Sequence, residues 1–552
     1  MKKNCLSITL SFVVFLCFVS PHITGTTSAH VNAVASYFPT PTPKPLSTPK
    51  PTATPTPKPT ASPTPVPTPT PVQTLEELQA KIRQRMFAPE VRRGRIGIKV
   101  VSLNTGKVIF ENDSDKYFMP ASNMKNFTVA TALEKLGPDF KFVTSVYASS
   151  MPDAAGTIKG DLRIFGRGDI SISTAFNNGD YYKGLDNLAD KIAAAGVKRV
   201  DGGIVGDESY FKGFAIPGTW EWDDLQWYYG AEISALPLND NAVDLAVTPG
   251  SAGSPCVVTI LPASTLMQIV NLCTTTSSAI KRNLNVVKKL DRNILEISGT
   301  MPAGDTGFKS SVTFTHPAEL FVTLLKQRLE LKGVTVTGGA RTMPANVKSD
   351  NTQIEIAKLE SPPFSLIAAK TMKPSQNMYT ETILWTLGEY ARGRISFPTV
   401  GLAISTPESS QLGLGEVKIF LTSIGIAPDG ILQYDGSGLS RHDLITPSAV
   451  VTLYTYMAKQ SKNAQVWRDS LTIGGVDGTL ANRFKGTAAA GNIRGKTGTI
   501  DQVSALSGYM TTATGEQIVL SIIVNGVAEP RTRTSLADDI VISLANFNGR
   551  IE

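Results

Sequence analysis

Residues 119–125 read Met-Pro-Ala-Ser-Asn-Met-Lys, and the sequence after them predicts a helix that begins at about Ser122 and stops at Gly137 and Pro138. Positions three apart share one face of a helix, so we expect the amine of Lys125 beside the hydroxyl of Ser122. A serine hydroxyl is a poor nucleophile until a nearby base takes its proton. A lysine can be that base when burial or neighbouring cations lower its pKa. Ser122 and Lys125 are therefore a candidate nucleophile and base.

The Ser-x-x-Lys spacing is weak evidence when it stands alone. It also occurs at residues 47–50 and 278–281, and neither of those stretches is expected to begin a buried helix. Taken by itself, Ser122 could instead be the N-cap of its helix. The interpretation therefore depends on two further motifs.

The second motif is Ser-Gln-Asn at residues 375–377, between two helical runs. The hydroxyl of Ser375 could pass a proton between the lysine and a leaving group, and the amide of Asn377 could orient the lysine and hold a substrate backbone. Residues 349–351 read Ser-Asp-Asn, but they lie in a polar loop before a strand-like run. We choose Ser375 and interpret the other serine as part of a solvated turn.

The third motif is Lys-Thr-Gly-Thr at residues 496–499, which we expect to begin a strand near the C-terminus. The Lys496 cation would attract a substrate carboxylate, and the hydroxyls of Thr497 and Thr499 would bond it. Gly498 would let the backbone lie close to the ligand. The alternative is a hairpin edge that carries an unrelated lysine.

Ser-x-x-Lys, Ser-x-Asn and Lys-Thr-Gly, in this order, form the signature set of penicillin-recognising serine enzymes. The chain also resembles the class-C low-molecular-mass penicillin-binding proteins, the D-Ala-D-Ala carboxypeptidase/endopeptidase family, from about Thr74 to its end. Besides the nucleophile segment, the similar stretches are residues 206–211, 229–236, 361–377, 435–441 and 475–480. Gln376 departs from the family, in which Asp is usual. The resemblance implies an α/β fold, an antiparallel sheet flanked by helices and split by a large, mainly β insert.

The function that the resemblance implies is cleavage of peptidoglycan stem and cross-link peptides through an acyl-enzyme on Ser122. Lys496, Thr497 and Thr499 would hold the terminal carboxylate, and the backbone N–H groups of Ser122 and Thr499 would form the oxyanion hole. β-Lactam antibiotics would enter the same path and stall as a long-lived acyl-enzyme. No cofactor is expected.

The aromatic and acidic stretch at residues 220–228 has two interpretations. The family resemblance suggests a pocket for the free amino group of a diamino acid in the stem peptide, with Asp223 as charge partner and Trp220 and Tyr228 as walls. The alternative is an aromatic cluster with a purely structural role.

Composition and the motifs divide the chain into five segments. They are a signal peptide (1–35), a Pro/Thr-rich spacer (36–73), the first segment of the catalytic domain (74–141), inserted subdomains (142–355) and the second segment of the catalytic domain (356–552). The apolar run at residues 6–19 is shorter than the roughly 18 residues of a spanning helix, which favours a cleaved signal over an anchor. We expect an exported protein that is periplasmic, wall-associated or extracellular.

The net charge and the cysteine and histidine content indicate which partners and ligands to expect. The net charge of +7 over 552 residues is not concentrated in one block, so nucleic acid is not an expected partner. Cys256 and Cys273 are either a disulfide or two buried thiols. Once the export segment is removed, His316 and His442 remain, which argues against a zinc site. The sequence does not determine the oligomeric state.

Two other functions use the same three motifs. A β-lactamase-like hydrolase would have a deacylating glutamate and a shorter chain without the insert. A penicillin-sensing wall protein would acylate and stop, so slow deacylation of substrate would identify it. A Ser-His-Asp hydrolase is disfavoured because the chain has no Gly-x-Ser-x-Gly stretch.

Overall fold

The computed structural model describes residues 71–343, 352–394 and 406–551, all within the compact unit Ser62–Glu552. The α-helices of these residues are α1 Leu75–Met86, α2 Lys125–Lys135, α3 Lys183–Ala194, α4 Pro317–Leu331, α5 Phe364–Met372, α6 Asn377–Arg392, α7 Ser409–Ser423, α8 Pro447–Lys459, α9 Ala464–Ser470 and α10 Pro530–Ala545. Within these ranges, no helix has the length and apolar character needed to cross a bilayer.

The β-strands of the described residues are two to nine residues long. They are β1 Arg95–Ser102, β2 Val108–Asn112, β3 Val143–Ala148, β4 Thr157–Lys159, β5 Leu162–Phe165, β6 Arg199–Asp201, β7 Ile204–Asp207, β8 Ala242–Thr248, β9 Val257–Leu261, β10 Gln268–Thr276, β11 Asn283–Lys288, β12 Ile294–Pro302, β13 Phe308–Thr313, β14 Thr335–Val336, β15 Ala340–Thr342, β16 Ile354–Glu360, β17 Ile431–Leu432, β18 Leu444–Ile445, β19 Thr472–Ile473, β20 Arg494–Ile500, β21 Val503–Thr511 and β22 Gln517–Asn525.

The central sheet is antiparallel and joins the two ends of the described chain in the order β19-β20-β21-β22-β1-β2. Side chains alternate between its faces, as the period of two requires. Leu520 and Ile522 belong to the core with α1 and α10, whereas Val519 and Ile523 belong to the core with α2, α6 and α8. Helices therefore cover both faces of the sheet. Lys496 is carried by strand β20, which lies close to α2.

A mainly β region is inserted between α2 and α5. Its sheets have the orders β15-β7-β5-β3-β16, β14-β6-β4, β13-β8-β9 and β10-β12-β11, and α3 and α4 share their core. Strands β3 and β16 are antiparallel partners, with Val143 opposite Glu360, so the chain enters and leaves the region side by side. Cys256 and Cys273 are joined by a disulfide inside this region.

Two local predictions are confirmed. The sequence Thr-Leu-Glu-Glu at residues 74–77 predicts a capping box, and Thr74 and Glu77 form one at the start of α1. The turn at residues 105–106 predicts a strand pair, and β1 and β2 form that hairpin.

One helix boundary is corrected. The sequence predicts the last helix from Leu536 to Phe547, but it begins at Pro530, because proline at its first position and the Glu529 cap start it earlier. Within the β-rich stretch, α3 lies where a helix is predicted near Leu185 to Ala195, and α4 is a second helix.

Candidate active site

Ser122 lies in a 3-10 turn, Ala121–Met124, that continues directly into α2. Its side chain makes no capping hydrogen bond to either helical segment, so the N-cap interpretation does not apply. Ala121 has a positive φ of 46°. Its carbonyl oxygen lies so close to Gly438 that a Cβ added to this glycine would be only 1.9 Å from the oxygen. The turn that presents Ser122 is therefore packed against a glycine-containing loop.

Lys125 is fully buried, and its amine is held by three acceptors. Nζ donates to Ser122 Oγ at 2.9 Å, to Asn377 Oδ1 at 2.6 Å and to the Ser437 carbonyl at 2.7 Å. Burial lowers the pKa of Lys125 to about 7, and the nearby carboxylates, Asp435 first, oppose this shift. An amine with this pKa is present partly as free base near neutral pH, which a general base requires.

Three buried carboxyl groups lie close to Lys125. Glu381 accepts hydrogen bonds from the backbone N–H groups of Gly436 and Ser437. Burial, reinforced by Asp435, raises the pKa of Glu381 to about 8, and the same causes raise the pKa of Asp443 well above its usual value. These acids organise the loop that supplies the Ser437 carbonyl to the lysine.

Lys496 is the second buried lysine of the site. Its Nζ donates to Ser375 Oγ at 2.8 Å and to the Thr497 carbonyl at 2.9 Å. Burial lowers its pKa well below the usual value, and the charge of Lys125 adds to this effect. Ser375 has a φ of 68°, and this left-handed backbone turns it out of the chain just before α6. The structure thus brings all three motifs together.

The third motif lies in the middle of β20 rather than at its start, which corrects the prediction. A Cβ on Gly498 would lie 2.5 Å from the Pro120 carbonyl, so only glycine permits this contact between strand and turn. Asn123 Nδ2 donates to the Lys496 carbonyl at 3.1 Å across the same junction. Thr497 Oγ1 donates to Thr479 Oγ1, whereas Thr499 is exposed beside the turn.

Trp220, Asp223 and Tyr228 lie on one loop of the inserted region but in different surroundings. Trp220 is 8 % exposed, and its Nε1 donates to Asp435 Oδ2 at 2.8 Å. Asp223 is exposed, and Tyr228 is 45 % exposed with its ring edge-to-face on Tyr229. Trp220 therefore points into the catalytic core, whereas the other two face solvent.

Several residues of the site were assigned no chemistry from the sequence. They are Tyr229, Glu381, Asp435, Ser437, Asp443 and Thr479. Asp-Gly-Ser-Gly at residues 435–438 is the one local signal, because an Asp before two glycines indicates a tight turn with an acceptor side chain. Residues 278–281 begin no helix, and residues 349–351 lie outside the described residues.

Comparison with known proteins agrees with this architecture. Residues 78–546 match the D-Ala-D-Ala carboxypeptidase 3 (S13) family. A D-alanyl-D-alanine carboxypeptidase from Actinomadura sp. is 32% identical over 493 residues, 86% of either chain. The carboxypeptidase DacB of Haemophilus influenzae is 25% identical over 435 residues, 78% of this chain and 85% of the relative.

The crystal structure of penicillin binding protein 4 from Haemophilus influenzae has the same fold. Its TM-score is 0.70 at 23% sequence identity, and the match covers 86% of this chain and 98% of that chain. The predicted fold class, an antiparallel sheet flanked by helices with a large β insert, is confirmed.

Proposed function

The chain belongs to the D-Ala-D-Ala carboxypeptidase 3 (S13) family and is a serine-type D-Ala-D-Ala carboxypeptidase, and on that premise we propose that Ser122 is its nucleophile and Lys125 its general base. The observation that carries the assignment is the position of the Lys125 amine, 2.9 Å from Ser122 Oγ and fully buried. Its pKa of about 7 makes the free amine available near neutral pH.

Acylation follows from these contacts. Lys125 takes the proton of Ser122, and Oγ attacks the carbonyl carbon of the penultimate D-Ala while the terminal carboxylate lies near Lys496, Thr497 and Thr499. The backbone N–H groups of Ser122 and Thr499 stabilise the oxyanion. When the C–N bond breaks, the leaving D-Ala nitrogen takes a proton from Ser375, and Ser375 in turn receives the proton that Lys125 took from Ser122, so Lys125 is again a free amine.

Ser375 is suited to this last transfer. Its Oγ accepts a hydrogen bond from Lys496, so its own O–H stays free to donate to the leaving nitrogen. Asn377 holds Lys125 in place through Oδ1. Water then attacks the ester, Lys125 takes its proton, and Ser122 is restored as the peptide acid leaves.

β-Lactams should acylate the same serine. The amide in their ring occupies the place of the scissile peptide bond, and ring opening leaves the amine attached, so water has less access to the ester. Penicillin binding protein 4 of Haemophilus influenzae is known in complex with a β-lactam, which supports this proposal.

The site of action would be outside the cytoplasm, where peptidoglycan lies. The basic and apolar start of the sequence supports export, and the Cys256–Cys273 disulfide is typical of an oxidising compartment. We propose that the protein is exported and acts in the periplasm, at the cell wall or outside the cell.

We propose Asp223, which is exposed, as a partner for a free amino group on the substrate stem peptide, with Tyr228 on the same loop. The test uses two peptides that end in D-Ala-D-Ala, one with a free side-chain amine and one acetylated there, and measures D-Ala release. Wild-type protein should cleave both and favour the amine. Asp223→Asn should lower kcat/KM for the amine peptide by about threefold, as an exposed ion pair allows, and leave the acetylated peptide unchanged.

Another exposed aspartate gives the matched control, because Asp139→Asn should leave both peptides unaffected. Equal loss on both peptides in Asp223→Asn would contradict the amine pocket. Absence of D-Ala release by the folded wild-type protein would contradict the catalytic assignment itself.

A further inference from the structure

One loop of the inserted region, residues 220–230, reaches from the β core of the insert to the catalytic site; we call it the bridging segment. Its middle is fixed to the insert by three hydrogen bonds. Thr313 donates through its N–H to the Gln226 carbonyl at 3.0 Å and through Oγ1 to the Leu225 carbonyl at 2.8 Å. Lys288 N donates to Gln226 Oε1 at 3.2 Å. The segment is thus anchored on strands β11 and β13.

The first end of the bridging segment holds the loop at residues 435–441. Trp220 Nε1 donates to Asp435 Oδ2, and next to it Glu221 accepts a hydrogen bond from Arg441 Nε at 2.7 Å. Asp435 also accepts from the N–H groups of Gly438 and Ser440, at 2.6 Å and 2.9 Å. Trp220 therefore supplies a donor to the carboxylate around which this loop folds.

The second end of the segment holds Asn377. The Tyr229 carbonyl accepts a hydrogen bond from Asn377 Nδ2 at 2.9 Å. Because the NH₂ end of an amide faces a carbonyl here, its oxygen end must face the other way, toward Lys125. The same backbone carbonyl thereby sets the orientation in which Asn377 Oδ1 accepts from Lys125 Nζ at 2.6 Å.

These contacts meet at one atom. In the described part of the chain, Lys125 Nζ donates to Asn377 Oδ1 and to the Ser437 carbonyl in addition to Ser122 Oγ. One of those two acceptors is oriented by Tyr229, and the other lies on the loop that Trp220 holds. We propose that the bridging segment positions the Lys125 amine on Ser122, and that Trp220 is a positioning residue that acts through Asp435 and the Ser437 carbonyl.

This inference rests on the proposed function, because it takes Lys125 to be the general base. The competing explanation is that Trp220 only fills space, since its ring belongs to the hydrophobic core around α2 and α6. The two explanations assign different roles to one atom, Trp220 Nε1. A positioning role needs its hydrogen bond to Asp435, whereas a packing role needs only the ring.

Trp220→Phe removes that donor and keeps an aromatic ring. Trp385→Phe is the matched control, because Trp385 is 3 % exposed, lies in the same core, and its Nε1 has no hydrogen-bond partner among the described residues. Both variants should stay folded and lose thermal stability, Trp220→Phe more than Trp385→Phe because it also loses a buried hydrogen bond. Only Trp220→Phe should lower the acylation rate constant for a fluorescent penicillin at saturation, by about tenfold, because loss of a buried hydrogen bond to a charged group has an effect of this size.

The pH profile gives the readout that a packing role would not change. Asp435, Glu381, Asp443 and Lys496 face Lys125 and are the same in both variants. When the Ser437 carbonyl withdraws, the protonated amine loses an acceptor, so the acid limb of acylation should move to lower pH in Trp220→Phe. The limb should stay in place in Trp385→Phe, and the penicillin concentration for half-maximal rate should change in neither.

Equal acylation rates and equal acid limbs in the two variants would overturn the positioning role. If Trp220→Phe does not fold, Glu221→Gln tests the same loop from the surface, where it breaks the ion pair to Arg441. It should lower the acylation rate two- to threefold, in line with an exposed pair, and an unchanged rate would contradict the proposal. Failure of the proposed function would give a different result, because the wild-type protein itself would then form no penicillin adduct.

Discussion

Replacing Lys125 by methionine is expected to lower the rate of acylation by penicillin about a thousandfold, the contribution of a well-placed general base. Methionine keeps the length and apolar stem of the side chain but has no amine to take the proton of Ser122. In the native protein that amine lies 2.9 Å from Ser122 Oγ. The measurement is the rate of covalent labelling at saturating fluorescent penicillin, with the melting temperature of each protein recorded in parallel.

The pH dependence of the wild-type protein follows from the same residue. Only the free amine of Lys125 can accept a proton, and burial holds its pKa at about 7. Acylation should therefore be fast above this pH and should fall as pH drops through it, with a midpoint near 7. The acid limb should be absent from the residual rate of Lys125→Met.

Lys135→Met, at the C-terminal end of the same helix, is the matched control. Lys135 is half-buried and close to Glu416, far along α2 from the nucleophile, so its loss should leave labelling intact. Penicillin labelling of a folded Lys125→Met protein at more than about a tenth of the wild-type rate would contradict the assignment of Lys125 as the general base. A general base contributes a factor of about 10² or more to the rate.

Replacing Gly498 by alanine is expected to lower the acylation rate by about 10²-fold, the usual cost of a 1 Å misplacement in an active site. The added Cβ would lie 2.5 Å from the Pro120 carbonyl and 3.1 Å from the Asn123 N–H nitrogen. Both are backbone atoms, which cannot rotate away, so β20 must move back from the turn that carries Ser122. The oxyanion donors on the strand and the turn would then no longer converge.

The same labelling assay measures this variant, and D-Ala release gives a second readout. Gly415→Ala, in α7, is the control because an added Cβ there meets nothing within 4 Å. Wild-type labelling by a well-folded Gly498→Ala protein would mean that the close contact between strand and turn does not contribute to catalysis.

Short-range sequence signals made several elements near the two ends of the described chain predictable. The capping box at Thr74, the hairpin after Arg95 and the two long C-terminal strands follow from caps, turns and alternation. Helix α4 was not predicted, because Leu320, Phe321 and Val322 form a short continuous apolar run near its start. Such a run fits a buried strand as well as a buried segment of a helix.

The three motifs of the site were predictable because each is short and contiguous. The residues that orient the side chains of these motifs and shift their pKa values were not predictable, because they come together only in the folded chain. Glu381 reaches a loop 55 residues away, and Trp220 donates to Asp435 across 215 residues. The direction in which Trp220 points, into the core rather than toward a ligand, depends on that partner. The division of the chain at residues 141/142 and 355/356 stays a prediction.

The most direct test of Ser122 as the nucleophile is mass spectrometry of the purified protein after incubation with a fluorescent penicillin, beside a Ser122→Ala variant. We expect one adduct on the peptide that contains Ser122, no adduct in the variant, and slow loss of the label. Fast loss with turnover of the antibiotic would indicate a β-lactamase. An adduct that persists in Ser122→Ala, or none on well-folded wild-type protein, would contradict the assignment of Ser122 as the nucleophile.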